Sequence, residues 1–88
     1  MVRDNPALSR YELDADGAVA FANYTRSGNV VSITHTETPA ALRGRGIGSK
    51  LVEGVMELAR RQGLKVRPLC GFARRVVAQH PDYRDLLA

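Results

Sequence analysis

The pattern of apolar and polar positions changes period once along the chain. From Ala18 to Thr25 β-branched and aromatic residues alternate with small ones, with Val19, Phe21 and Thr25 on one side and Tyr24 on the other, which is the period of a strand. Val30 to Glu37 repeats that period, with Val31, Ile33, His35 and Glu37 sharing one face and Ser32, Thr34 and Thr36 the other. Arg26-Ser27-Gly28-Asn29 has turn composition and joins the two as a hairpin. Tyr11 to Leu13 begins an edge strand ahead of the turn signal Asp14-Ala15-Asp16-Gly17. Residues 1–7, MVRDNPA, show no period and are expected to form a loose arm. Pro39 has no N–H for a ladder and ends the third strand.

Beyond a short loop the period becomes helical. Ile47, Leu51, Val55, Leu58 and Ala59 recur on one face, while Glu53, Glu57, Arg60 and Arg61 fall elsewhere. Gly63 follows two arginines that suit the negative end of the helix dipole and is the expected C-terminal stop. Leu64 to Arg67 reads as a short strand stopped by Pro68. Phe72, Val76, Val77 and His80 predict a second helix ending at Pro81. The expected order is βββ, loop, α, β, α: an α+β (mixed α/β) fold with an antiparallel three-stranded start.

With 88 residues there is room for one core, and 44% apolar with 25% charged residues lies in the globular range. A single domain spanning 1–88 follows. Charge is unevenly spread: residues 1–42 hold three bases and five acids, net −2, whereas residues 43–88 hold ten bases and four acids, net +6. Such a basic half fits a nucleic acid, an anionic surface or a polyanionic small ligand, and charge alone does not choose among them. One cysteine, Cys70, excludes an intramolecular disulfide. There is no apolar run of membrane-spanning length and no secretory signal, so the expected location is the cytoplasm, with no membrane partner. No metal-binding set is expected.

The chemistry concentrates between Leu42 and Lys50, Leu-Arg-Gly-Arg-Gly-Ile-Gly-Ser-Lys. The loop lies between a strand and a helix start, where unpaired N–H groups and the positive end of the dipole favour an anion. Gly44, Gly46 and Gly48 allow close backbone approach and positive φ, and Arg43, Arg45 and Lys50 add charge. A phosphate-binding P-loop is excluded, because Gly48 is followed by Ser49 and not by Lys. A dinucleotide fingerprint starting at Gly44 finds Ser49 where its third Gly belongs, and Leu64 to Pro68 lacks the acidic residue that should follow.

The pattern that fits is [RQ]-x-x-G-x-[GA], met by Arg43, Gly46 and Gly48. Here the chain resembles the GNAT superfamily of acetyl-CoA-dependent N-acetyltransferases. Together with His35-Thr36-Glu37-Thr38-Pro39, Val66-Arg67-Pro68-Leu69-Cys70 and His80-Pro81-Asp82-Tyr83, it looks like their short stand-alone branch, over about Tyr11 to Leu86. The resemblance implies acetyl-CoA as cosubstrate and an amine acceptor, small molecule or protein, of unknown identity. It implies that Arg43, Gly44, Arg45, Gly46, Ile47, Gly48, Ser49 and Lys50 hold the pyrophosphate, that Thr36, Glu37 and Thr38 line the pantetheine arm, and that Cys70 lies near the thioester and accepts or assists transfer of acetyl. Arg74 is a candidate for the 3′-phosphate.

His35 and Glu37, two apart on one strand, are candidate bases for the acceptor amine or for Cys70. His80 and Tyr83 are expected in the packing of the C-terminal helix end, with Tyr83 as an alternative general acid. The chain lacks the helical pair that longer GNAT proteins carry between their first two strands, so the acceptor pocket is expected to be open or completed by a partner. The other reading is a binding module: a coenzyme A sensor without turnover, or a nucleic-acid binder using Arg60, Arg61, Lys65, Arg67, Arg74 and Arg75. No aromatic stacking set accompanies those bases, which disfavours nucleic acid.

Overall fold

The computed structural model describes residues 1–88. One five-stranded sheet carries two helices on one face. The strands are β1 (Arg3–Asn5), β2 (Arg10–Ala15), β3 (Ala18–Ser27), β4 (Val30–Glu37) and β5 (Lys65–Pro68), in that spatial order. Neighbours from β1 to β4 run antiparallel, and β5 lies parallel to β4. The helices are α1 (Ile47–Gln62) and α2 (Gly71–Ala78), followed by a 3-10 turn, Pro81–Leu86. The α+β class and the βββ-α-β-α order therefore hold, with one strand added in front.

That added strand corrects the reading of residues 1–7. Their short, polar sequence has no period long enough to announce a strand, but Arg3 pairs with Glu12, and Arg3 and Asn5 hydrogen-bond the Glu12 carboxylate at 2.7 and 3.1 Å. Arg10 adds a third contact at 2.6 Å. Val2 is buried against α1, where a Cβ on Gly54 would meet it at 2.2 Å. Tertiary partners, not local propensity, order this segment.

The sheet buries its small residues. Ala20 and Ala22 of β3 face the helices together with Tyr11, Leu13, Val31, Ile33 and Val66, while Phe21 lies on the open face under the Arg10 guanidinium, 4.4 Å from its ring centre. Small side chains on β3 let α1 come close. Its apolar stripe is completed by Val52 and Met56 between Ile47, Leu51, Val55 and Ala59. Leu58, expected in that stripe, is partly buried at its edge. α1 ends at Gly63, whose φ of 69° lets its N–H reach the carbonyls of Ala59 and Arg60.

The strand before the loop does not keep one period. Tyr24 pairs with Ile33 and Asn23 with His35, so Thr34 has no partner on β3. This one-residue bulge exchanges the faces of everything after it. Val31 and Ile33 point to the helices, whereas His35 and Glu37 lie on the open face opposite Asn23 and Phe21, and Thr36 turns inward opposite the buried Ala22. The expectation of one shared face from Val31 to Glu37 is therefore corrected at Thr34. No signal in the alternation marks the extra residue.

Candidate functional site

The bulge lies where β4 and β5 part. They pair from Val30/Lys65 to Ile33/Pro68 and no further. The amides of Leu69 and Cys70 both bond the Ile33 carbonyl, at 2.9 and 3.1 Å, and the chain then leaves the sheet into α2. Beyond Ile33 the β5-facing edge of β4 has no strand partner, which leaves a slot in the sheet between Thr34–Thr38 and the start of α2, crossed by the 3.5 Å contact of Thr36 Oγ1 with Cys70 Sγ.

At one end of the slot is the glycine loop. α1 has Gly46 as its N-cap, in the left-handed region at φ 72°, with no side-chain cap and no acidic residue in the first turn. Its first intrahelical bond is donated by Lys50 to Gly46, so the amides of Ile47, Gly48 and Ser49 have no partner within the helix. Gly48 is helical, which corrects the expectation of positive φ there. What it requires is space: a Cβ would come within 2.9 Å of the Phe72 ring and 3.2 Å of Thr38 Oγ1. Thr38, Leu42, Arg43, Gly44, Gly46, Ile47, Gly48, Ser49 and Phe72 line a hollow of about 240 Å³.

Three of the expected phosphate ligands are placed elsewhere. Arg45 pairs with Asp16 in the β2–β3 turn at 2.5 Å, a contact between two half-exposed side chains, which is weak and exchangeable. Lys50, in the first turn of α1, lines a different hollow with Val2, Leu13 and Gly54. Arg74 donates to the carbonyls of Pro68 and Leu69, at 3.5 and 3.2 Å, and closes the end of β5. Arg43 stays at the hollow with its Nε bonded to the Thr38 carbonyl at 3.2 Å. Sequence reasoning missed Phe72. Phe72 reads as one apolar helix position among several, and only its proximity to Gly48 sets it apart.

At the other end is Cys70, the N-cap of α2 and partly buried. Burial pushes its thiol pKa up, but the Thr36 hydroxyl, with Oγ1 3.5 Å from Sγ, and the backbone N–H groups of Ala73 and Phe72 outweigh it and hold the thiol below its ordinary value. The sulfur makes no cap hydrogen bond to the helix, so these amides act on it through the field of the helix start.

His35 Nε2 is 3.3 Å from Glu37 Oε1, and both side chains are exposed. They share a face with each other but not with Cys70, because the bulge turned them to the far side of the sheet. Tyr83 is buried, and its hydroxyl pKa is pushed up to about 12 by burial and by Glu57 on α1. It stacks on His80, whose Nε2 is 3.2 Å from Glu53. Neither lines the loop hollow. No three His, Cys, Asp or Glu side chains group to hold a metal ion, and no helix is long and apolar enough to cross a membrane.

A splayed strand pair with an anion-ready helix start on one side and a thiol on the other can be compared with known proteins. Residues 10–86 match the family model described as GCN5-related N-acetyl-transferase. The chain belongs to this family. It is 33% identical over 66 residues to Protein NATD1 of Xenopus tropicalis, covering 75% of this chain and 60% of that protein. Against Protein NATD1 of Danio rerio it is 33% identical over 72 residues, with 80% and 64% covered. The chain thus spans about three fifths of the length of these relatives. The solution structure of a GCN5-like protein from Staphylococcus aureus superimposes on all of this chain and 87% of its own, with a TM-score of 0.73 at 27% identity. The short GNAT-like fold is common to both.

Proposed function

We propose that this GNAT domain binds acetyl-CoA along the slot between β4 and α2 and transfers the acetyl group to an amine acceptor. The observation that carries this reading is the unpaired edge of β4 beyond Ile33, with open amides at the loop end and Cys70 at the other. The residues suit the ligand: three helix amides without partners face an uncapped hollow in which a Cβ at Gly48 would intrude. Ile47, Gly48 and Ser49 would hold the pyrophosphate, with Arg43 at the rim. Thr36 and Thr38, which point inward on the free strand, would flank the pantetheine arm. Arg45 and Arg74 would reach phosphate only by giving up their present partners.

The coenzyme supplies an acetyl carbon activated as a thioester. In transfer, its C–S bond breaks, a C–N bond to the acceptor forms, coenzyme A leaves as the thiol and the amine loses a proton. Cys70 assists this either as a nucleophile that takes the acetyl group first or as a polar neighbour of the departing sulfur. Its lowered pKa provides thiolate closer to neutral pH. The exposed His35–Glu37 pair serves an acceptor arriving from the open face, as the base for its ammonium proton. It does not serve Cys70, from which the sheet separates it.

Coenzyme A or acetyl-CoA should raise the melting temperature. A ligand that binds only the folded state adds about 2.7 kcal/mol at a hundredfold excess over its Kd, which for a domain of this size is on the order of ten degrees. Incubation with acetyl-CoA should leave one acetyl group on Cys70, seen by mass and removed by hydroxylamine. An unchanged melt at millimolar coenzyme A rejects the reading. A shifted melt without acetyl on Cys70 leaves direct transfer to the acceptor. His35→Gln and Glu37→Gln, tested separately, should alter the pH profile of transfer, and an unchanged profile removes that residue from the mechanism.

A further inference from the structure

A second concave surface lies on the other side of α2 and does not depend on the coenzyme. Pro68, Val77, Pro81 and Leu87 floor a hollow of about 300 Å³, with Arg74 and Arg84 at its rim. Arg74 and Ala78 also border a shallower hollow that takes in Arg75, so the two form one groove along the outer face of α2. Leu87 is 38% exposed, and Leu69, whose carbonyl Arg74 holds, is 50% exposed.

The charges here are unbalanced. Arg74, Arg75 and Arg84 make no ion pair with any carboxylate; of the acids on neighbouring elements, Asp85 pairs with Arg60 at 2.9 Å and Glu53 with His80 at 3.2 Å, and the single unpaired one on the 3-10 turn, Asp82, leaves the three arginines in excess. His80 borders the hollow but is held by that glutamate, so the free positive charge comes from the three arginines. Arginine guanidinium groups favour planar carboxylate partners. The floor of the hollow is aliphatic and prolyl; the two rings along the groove, His80 held by Glu53 and Phe72 turned toward Gly48, stand apart and form no stacking set of the kind a nucleic-acid platform uses. A hollow at the small end of ligand clefts suits one side chain better than a whole cofactor.

We propose that this groove docks an extended acidic peptide segment of a partner protein, with one apolar side chain entering the hollow over Val77 and Leu87 and carboxylates pairing with Arg74, Arg75 and Arg84. An apolar anchor ringed by arginines is the arrangement that concentrates binding energy in a small contact, and the rim charges raise the encounter rate.

Fluorescence anisotropy with a labelled synthetic peptide, a single leucine flanked by aspartates, tests it on the whole chain without coenzyme, so its failure leaves the acetyl-CoA reading untouched. Saturable binding is expected, weakening as salt rises, and about tenfold weaker when serine replaces the leucine. Arg84→Glu should weaken it by about tenfold or more while melting like the wild type. Arg84 makes no side-chain bond in the structure, and Arg75→Glu on the exposed side of α2 is a second variant should the first not fold. No saturation at millimolar peptide overturns the proposal. So does equal binding of a peptide with lysines for the aspartates, or tighter binding of a labelled single-stranded oligonucleotide.

Discussion

The two helices begin at opposite ends of the same slot, and they treat their free amides differently. α1 starts from Gly46, which offers no side chain, so the amides of Ile47, Gly48 and Ser49 stay open to something from outside. α2 starts from Cys70, whose side chain makes no cap hydrogen bond to the helix; its sulfur meets the Thr36 hydroxyl at 3.5 Å, and the nearby amides of Phe72 and Ala73 favour its thiolate. The same physical resource, a helix N-terminus with its positive end of the dipole, has no side chain beside it in one case and a thiol beside it in the other. Phe72 joins them: it follows Cys70 by two residues and its ring touches the space at Gly48. The two helix starts thus lie along one cleft, one presenting open backbone amides and the other a thiol.

Breaking the α1 end should have the largest effect. Gly46→Val forces a β-branched residue to φ 72°, and Gly48→Val drives methyl groups into Phe72 and Thr38. Either variant should abolish the coenzyme-induced shift of about ten degrees expected for the wild type. A valine variant that folds and keeps the full shift would place the pyrophosphate elsewhere.

Next is the α2 end. At pH 7 Cys70 should be alkylated several-fold faster than in the urea-unfolded chain, because the folded state holds its pKa below the ordinary 9.0, and bound coenzyme A should slow the reaction. Slow alkylation indifferent to coenzyme A would make Cys70 a packing residue and end the symmetry of the two helix starts.

Thr36→Val sharpens this by removing one stabilising hydroxyl while the backbone amides remain. The thiol pKa should rise, slowing alkylation at pH 7 by a smaller factor, and the two rates should converge at alkaline pH where both thiols are ionised. The sign for stability follows: a depressed folded pKa contributes stability above the unfolded value and loses it as pH falls through the folded one. The wild type should therefore gain on Thr36→Val as pH rises, and that part of the difference should vanish in acid. A pH-independent gap would mean that the hydroxyl acts by packing alone.

The smallest effect belongs to Arg43→Ala. The guanidinium is at the hollow but bonded to Thr38, and the helix amides survive its removal. Coenzyme affinity should fall by less than about tenfold, and less still at high salt. A loss as complete as for Gly46→Val would shift the burden of phosphate binding from backbone to side chain.

Local pattern was enough for most of the fold. Strand alternation in 18–25 and 30–33, the helical stripe from Ile47 to Ala59 and the stops at Pro39 and Gly63 are each decided by residues a few positions apart, so they are written in the chain. The open amides of the glycine loop were legible for the same reason, since a strand-loop-helix order leaves them without partners. Cys70 was legible as a thiol at a helix start.

What depended on distant partners was not. β1 exists because Glu12 and Gly54 are there to receive Arg3, Asn5 and Val2. The bulge at Thr34 appears only in the pairing of β4 with β3, and it moved His35 and Glu37 to the face away from Cys70. Arg45 and Arg74 went to a carboxylate and to carbonyls within their reach, and Lys50 to a different hollow. The sequence by itself determined where backbone could bind an anion. Only the tertiary structure decided which side chains share that cleft, since burial and facing are properties of contacts between elements and a one-residue slip reverses them.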